Sequence, residues 1–287
     1  MIIDAHSHVG WNKIESGEDL IGNMDTYGID QSIVHTWELQ PSEIDDYDKA
    51  TLSNSKGIRI GEVLRACSIF RDRLFPFYCP DPRKKNASLK IEESVFKHNI
   101  RGVGEFKFPV VLTSPECKRF FEVARANLLP ILIHLEKPGL TYDNGGQNSY
   151  WSGGDFKEMI RVVRAFPEVQ FIGHGPEVWR AIECRYMDRP ELFPKGKIHN
   201  FCGDVFALVE TENNFHLDIS GYSGLNALYR MGELAPEFFN QYMDQIVFGR
   251  DNFTCVHQEF IDKLNLDPEV IRKIYHENIT KLIGLEC

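Results

Sequence analysis

Eight short runs of apolar and β-branched residues recur along this chain, and each leads into a segment with helical hydrophobic period. That alternation restricts the fold to parallel strands joined by crossover helices. The pattern predicts strands over residues 1–6, 31–37, 73–79, 101–106, 129–134, 169–173, 214–219 and 245–248. It predicts helices over 17–27, 59–70, 87–97, 115–126, 155–166, 204–211, 225–232 and 236–243, with further helices over 255–264, 268–276 and 278–283. Eight such units in 287 residues suit a (β/α)8 barrel, a TIM barrel, with extra C-terminal helices. A doubly wound open sheet competes, but it announces itself with a glycine-rich turn after strand one. Here strand one ends in His6-Ser7-His8. Segments 38–57, 140–154 and 177–203 all leave carboxyl ends of strands, where barrel enzymes build substrate walls. With no linker or internal repeat, residues 1–287 are expected to form a single domain.

Composition narrows the partners. The net charge is −10 and no Lys/Arg cluster stands out, which argues against nucleic acid and anionic membrane surfaces. No apolar run approaches the ~20 residues of a membrane span. The first residues already read as strand, with no room for a signal peptide before them. Seven cysteines, at 67, 79, 117, 184, 202, 255 and 287, form no CxxC pair. That usage predicts reduced thiols in a cytoplasmic protein and no disulfide framework.

The polar residues fall at strand ends. His6 and His8, one residue apart on a strand, point to one side. Strand five ends in His134, strand six in His174, and strand eight runs through Val247-Phe248-Gly249-Arg250 to Asp251. Imidazoles and a carboxylate on one rim are ligands for Zn2+ or a similar divalent ion, which lowers the pKa of a bound water toward ~7. A neighbouring His or Asp then orients and deprotonates that water. The remaining histidines, His35, His98, His199, His216, His257 and His276, carry no such pattern and read as packing or surface residues. Strand four places Glu105 and Lys107 on one face. Glu105 suits a second metal, a carbamylated Lys107 would bridge two ions, and the simpler reading is a salt bridge or a substrate contact.

These residues resemble the amidohydrolase superfamily, and within it the amidohydrolase-2 branch, which includes aminocarboxymuconate semialdehyde decarboxylase, aromatic-acid decarboxylases and lactonases. The resemblance rests on Ile3-Asp4-Ala5-His6-Ser7-His8, Pro130 to His134, Phe171-Ile172-Gly173-His174-Gly175, Leu217-Asp218-Ile219-Ser220-Gly221, Val247 to Asp251, and the closing Asn278-Ile279-Thr280-Lys281-Leu282. It implies that His6, His8, His134 and Asp251 hold one metal, usually zinc. It also implies that His174 stands beside the metal-bound water as acid/base, with Asp251 accepting a proton. Glu105 resembles the glutamate that nuclease relatives place between two metals, which keeps a two-metal site, or Mn2+, in view. Arg250 departs from the small residue usual before the strand-eight aspartate.

The combined expectation is a metal-dependent hydrolase acting on a small, carboxylate-bearing molecule. Arg250, Arg180 and Lys107 are the candidate carboxylate anchors, and Trp11, Trp151, Trp179 and Tyr222 the candidate walls. The first alternative is a zinc-dependent non-oxidative decarboxylase of an unsaturated or aromatic acid. The second is a barrel that binds a ligand without turnover. A homodimer is the assembly the resemblance suggests.

Overall fold

The computed structural model describes residues 1–39, 43, 52, 57–142 and 144–285. Among them eight strands alternate with helices: β1 Ile3–Ser7, β2 Gln31–His35, β3 Leu74–Phe77, β4 Val103–Phe106, β5 Ile131–His134, β6 Phe171–His174, β7 Phe215–Asp218 and β8 Ile246–Val247. All pairings are parallel and sequential, β1 to β3 in one set and β4 to β8 in the other. Two seams join the sets. Phe77 bridges Gly102 with Tyr78 N–H donating to Gly102 O at 3.1 Å, and Ala5 N–H donates to Phe248 O at 2.8 Å. The chain is therefore a closed (β/α)8 barrel, as the alternation predicts.

The helices are α1 Gly17–Tyr27, α2 Ile60–Ile69, α3 Ala87–His98, α4 Pro115–Ala126, α5 Phe156–Ala165, α6 Pro176–Arg180, α7 Asp204–Thr211, α8 Gly221–Met231, α9 Ala235–Gln241, α10 Val256–Asp262, α11 Pro268–Arg272 and α12 Asn278–Leu282. Their starts follow local chemistry. Ser16 and Asp19 cap α1 reciprocally, Ser114 caps α4 ahead of Pro115, and the Asp155 carboxylate accepts from Lys157 N–H and Glu158 N–H at α5. Two features depart from the expected elements. The short α6, opened by Pro176 in a stretch predicted as loop, has too few residues to show a period. The predicted helices 268–276 and 278–283 are continuous, because Lys273–Glu277 forms a π-helical turn between α11 and α12. No helix among the described residues is long and apolar enough to cross a membrane.

Period-two alternation sorts the strand side chains. On β5 and β6, Ile131, Ile133 and Phe171 pack outward against the helices, while Leu132 and Ile172 join Ile3, Ala5, Ile33, Phe77 and Val247 inside the barrel. Ile279 and Ile283 plug the amino end of that interior. The same alternation turns His134 and His174, two residues beyond Leu132 and Ile172, to the inside at the carboxyl end.

The expectation of reduced thiols fails at one pair. Cys184 and Cys202 form a disulfide with their Cα atoms 5.2 Å apart. They sit at the two ends of the segment between α6 and α7, which returns on itself when Val205 N–H donates to Ala181 O at 3.2 Å. Such proximity belongs to the fold and leaves no mark in the cysteine spacing. Cys67, Cys79, Cys117 and Cys255 are free thiols. Cys287 and most of segment 38–57 lie outside the described residues.

Arg250, expected at a substrate carboxylate, is wholly buried. Its guanidinium Nε donates to Asp4 Oδ2 at 2.8 Å, and its backbone N–H donates to Asp4 Oδ1 at 2.9 Å. Asp4 Oδ1 also accepts from His6 N–H at 3.1 Å, so one carboxylate ties β1 to the end of β8 where the barrel closes. Removing that carboxylate strands a buried guanidinium. Asp4→Ala is expected to lose about 3–5 kcal/mol in urea unfolding. A loss under ~1 kcal/mol, the range of an exposed pair, would show that the ion pair does not hold the seam.

Candidate metal centre and its cavity

His6 and His8 leave the end of β1, and their Nε2 atoms lie 3.1 Å apart with both side chains buried. The other ring nitrogens assign the tautomers. His6 Nδ1–H donates to Asp218 Oδ2 at 2.7 Å and His8 Nδ1–H to the His35 carbonyl at 3.2 Å. Both Nε2 atoms therefore present lone pairs to the same point. Two carboxylate oxygens face that point as well. Glu105 Oε2 is 3.7 Å from His6 Nε2 and 3.4 Å from His8 Nε2, and Asp251 Oδ1 is 3.7 Å from each. Acceptor atoms at this spacing repel one another unless a cation lies among them. Ligand bonds of ~2.1 Å place tetrahedral donor atoms about 3.4 Å apart, and His6, His8 and Asp251 lie together closely enough to hold a divalent ion, with Glu105 Oε2 beside both imidazoles.

The set expected from sequence puts His134 with His6, His8 and Asp251; in the structure Glu105 Oε2 also faces the Nε2 atoms of His6 and His8. Both nitrogens of His134 are engaged by carboxylates: Nδ1 with Glu105 Oε1 at 2.9 Å and Nε2 with Glu136 Oε2 at 2.7 Å. Burial and the Lys107 ammonium oppose a charge on His134, but the two carboxylates outweigh them and raise its pKa above the ordinary value. Glu136 is fixed in turn by Asn148, whose Nδ2–H donates to Oε1 at 2.6 Å. Glu105, His134 and His174 form a second grouping of metal-competent side chains.

His174 ends β6 opposite His134, with ring centroids 5.3 Å apart. Its Nδ1 lies 3.1 Å from both Asp218 Oδ2 and Ser220 Oγ, while Nε2 is 3.9 Å from Asp251 Oδ2. Burial lowers its pKa, so the ring is neutral and Nε2 offers a lone pair toward Asp251. Asp218 anchors both rings. Burial alone would raise its carboxyl, but the bonds from His174 and His6 hold it well below the usual carboxylate range. Gly249 makes this convergence possible, since a Cβ there would stand 2.7 Å from Asp218 Oδ1 and 3.0 Å from His6 Cβ.

Above these groups opens a cavity of about 430 Å³ lined by Trp11, Tyr142, Tyr150, Phe193 and Tyr222, with Lys107, His134, Glu136, His174 and Asp251 among its polar residues. Trp11 and Tyr222 thus stand where the sequence puts them. Trp151 and Trp179 do not line it, and Trp179 packs on Phe238 instead. Arg180 is also elsewhere. It pairs with buried Glu177 and donates to the carbonyls of Tyr186, Arg189 and Glu191 at 3.1, 2.6 and 2.9 Å, bracing the loop that carries Phe193. Lys107 rests 3.7 Å over the Trp37 ring and 5.5 Å from the Tyr150 ring. Sequence reasoning missed Glu136, Ser220 and the part played by His35. His35 packs its ring 4.8 Å from His6, donates from Nε2 to Ala5 O at 2.8 Å, and supplies the carbonyl that orients His8. A histidine ending strand two was the available signal.

A barrel whose carboxyl end gathers imidazoles and carboxylates under an open cavity defines a class of metal-assisted enzyme. The chain belongs to the amidohydrolase family, in its amidohydrolase-2 branch, whose family model matches residues 3–285. It is similar in structure to 5-carboxyvanillate decarboxylase from Sphingomonas paucimobilis, at 13% identity over 99% of each chain with a TM-score of 0.62. It is also similar to 5-carboxyvanillate decarboxylase from Novosphingobium aromaticivorans complexed with manganese, at 16% identity over 96% of this chain and 82% of that one, TM-score 0.64. A third is a probable 2-pyrone-4,6-dicarboxylic acid hydrolase from Acinetobacter baumannii, at 13% identity over 99% of each chain, TM-score 0.60. No curated protein matches the chain. At such identities the structural likeness establishes the barrel.

Elemental analysis of purified variants distinguishes the two ligand sets. Glu105→Gln is expected to lose metal as fully as His6→Ala, and Asp218→Asn to weaken metal affinity about 10–100-fold. Full metal loss in His134→Gln beside full retention in Glu105→Gln would restore the set expected from sequence.

Proposed function

We propose that the protein is a metal-dependent, non-oxidative decarboxylase of a small aromatic or unsaturated acid. The observation that carries this reading is the cavity itself: aromatic rings on several sides, over a floor that includes Asp251 of the His6, His8 and Asp251 grouping. Flat walls of this kind suit a planar acid through ring stacking. The similar structures support it, since they include decarboxylases of ring acids, among them 2,6-dihydroxybenzoate decarboxylase (15% identity, TM-score 0.56).

A bound Zn2+ or Mn2+ would hold the acid's oxygens and draw electron density from them. The chain's own residues do the rest. The ring walls orient the acid and keep water from it. When the carbon–carbon bond breaks, CO2 leaves and the electron pair stays on the ring carbon, which must take a proton. Asp251 and His174, with Oδ2 and Nε2 facing each other at 3.9 Å, stand at the cavity floor to take a proton from solvent and pass it to that carbon. Asp218 and Ser220 keep His174 in the required orientation.

One observation favours a second reading, hydrolysis of a small carboxylate-bearing molecule. The neutral His174, with Asp251 beside it, is equally suited to take a proton from an attacking water. The readings separate in a single assay. Metal-loaded protein incubated with hydroxylated aromatic acids is expected to release CO2 stoichiometrically with loss of the acid. Asp251→Asn and His174→Asn are expected to lower kcat at least ~100-fold. Turnover of esters, lactones or amides with no CO2 from any acid would install the hydrolase reading in its place.

A further inference from the structure

We propose that Cys184 and Cys202 are a thiol–disulfide exchange site, and that a dithiol reductant acting there releases the loop that walls one side of the cavity. The proposal concerns the enclosure of the site and holds for either reaction at its floor.

The loop is placed to transmit such a change. The two cysteines close the neck of a segment whose Leu192 and Phe193 line the cavity. Between them the one regular element is the three-residue turn Tyr186–Asp188, so the backbone there is held by individual contacts rather than by a helix or a ladder. Leu192 N–H donates to Thr141 O at 2.9 Å and Thr141 N–H to Pro190 O at 2.8 Å. Those bonds couple the segment to the neighbouring wall that carries Tyr142 and Tyr150. Past the tip, Arg230 Nε donates to Gly196 O at 3.1 Å. Phe193 meets Tyr222 edge to face, with ring centroids 4.7 Å apart, and Tyr222 is 58% exposed, so this pair stands at the cavity mouth.

The cysteines are placed to react. Both are exposed, and an attacking thiolate reaches either sulfur. Among the described free thiols, Cys67, Cys79 and Cys117 are buried, and the Glu259 carboxylate beside Cys255 holds that thiol protonated. Exchange is therefore directed to the Cys184–Cys202 pair. The reductant's thiolate attacks one sulfur, the bond between the cysteines breaks, and a mixed disulfide forms. The reductant's second thiol then displaces the cysteine. Two electrons and two protons pass to the pair, which ends as two thiols, and the reductant ends as a disulfide. Loss of the cross-link returns to the loop the freedom that closure of its neck withheld. Oxidised, the loop holds Leu192 and Phe193 against the cavity; reduced, it lets them leave.

Hydrogen exchange of the metal-loaded protein, read by mass spectrometry before and after dithiothreitol, tests this. Peptides covering 185–201 and 139–142 are expected to exchange at least about 10-fold faster after reduction, while those covering β1, β5, β6 and β8 stay unchanged. Oxidised glutathione is expected to restore the protection. Cys184→Ser with Cys202→Ser is expected to exchange at the faster rate with or without dithiothreitol. If that variant does not fold by circular dichroism, the native comparison decides alone. Equal exchange in the two redox states would overturn the proposal. So would acceleration across the strands as well, the mark of a cross-link that only holds the fold together. Alkylation of Cys184 and Cys202 in air-purified protein without reductant would overturn it too.

Discussion

Two imidazole lone pairs face each other across 3.1 Å inside a closed barrel, and the surrounding structure keeps them there. Neither ring is free to turn. Asp218 holds His6 from β7, and the His35 carbonyl holds His8 from β2. The Asp4–Arg250 pair fastens the seam at which β8 returns to β1, and with it the backbone that brings Asp251 to the same point. Asp251 N–H donates to His6 O at 3.0 Å, so closure of the barrel and assembly of the donor set are one event. Without a cation the arrangement carries an electrostatic cost; with one, the same repulsion becomes preorganisation.

A buried chain of Glu136, His134 and Glu105 extends from this centre into the cavity wall. It shares an imidazolium between two carboxylates, which makes burial of two acidic side chains tolerable. It also leaves Glu105 Oε2 turned toward His6 and His8 while Oε1 is occupied. The walls above come from loops braced independently: Tyr150 through the Lys107 carbonyl, and Phe193 through the loop that Arg180 and the Cys184–Cys202 disulfide secure. The centre and its enclosure are thus set by different contacts, so different substrates can be accommodated over one set of donors.

Much of this is legible in the amino-acid sequence. The eight strands, most helices and the rim positions of His6, His8, His134, His174 and Asp251 follow from periodicity and from which residue ends each apolar run. That Glu105 faces the Nε2 atoms of His6 and His8 while His134 is held between two carboxylates is not legible, since a strand end shows only that a side chain reaches the rim and not which neighbour it meets. Arg250 misleads for the same reason. An arginine beside a rim aspartate reads as a substrate anchor until Asp4, far away in sequence, is seen beneath it. Asp218 lies in a family-like motif that gives it no role, and Glu136 carries no signal at all, because both act through rings supplied by other strands.

Composition and periodicity alone determined that the chain alternates strand and helix, closes into a barrel, and carries metal-competent side chains at the carboxyl end. Those are consequences of local spacing, where burial of apolar faces dictates the period. Tertiary structure alone decided which donor atoms converge, which histidine is held between carboxylates, which arginine is buried, and which two cysteines meet. Most of these depend on distances of a few ångströms between residues far apart in the chain, such as His6 with Asp218 or Asp4 with Arg250, and no one-dimensional pattern encodes such a distance.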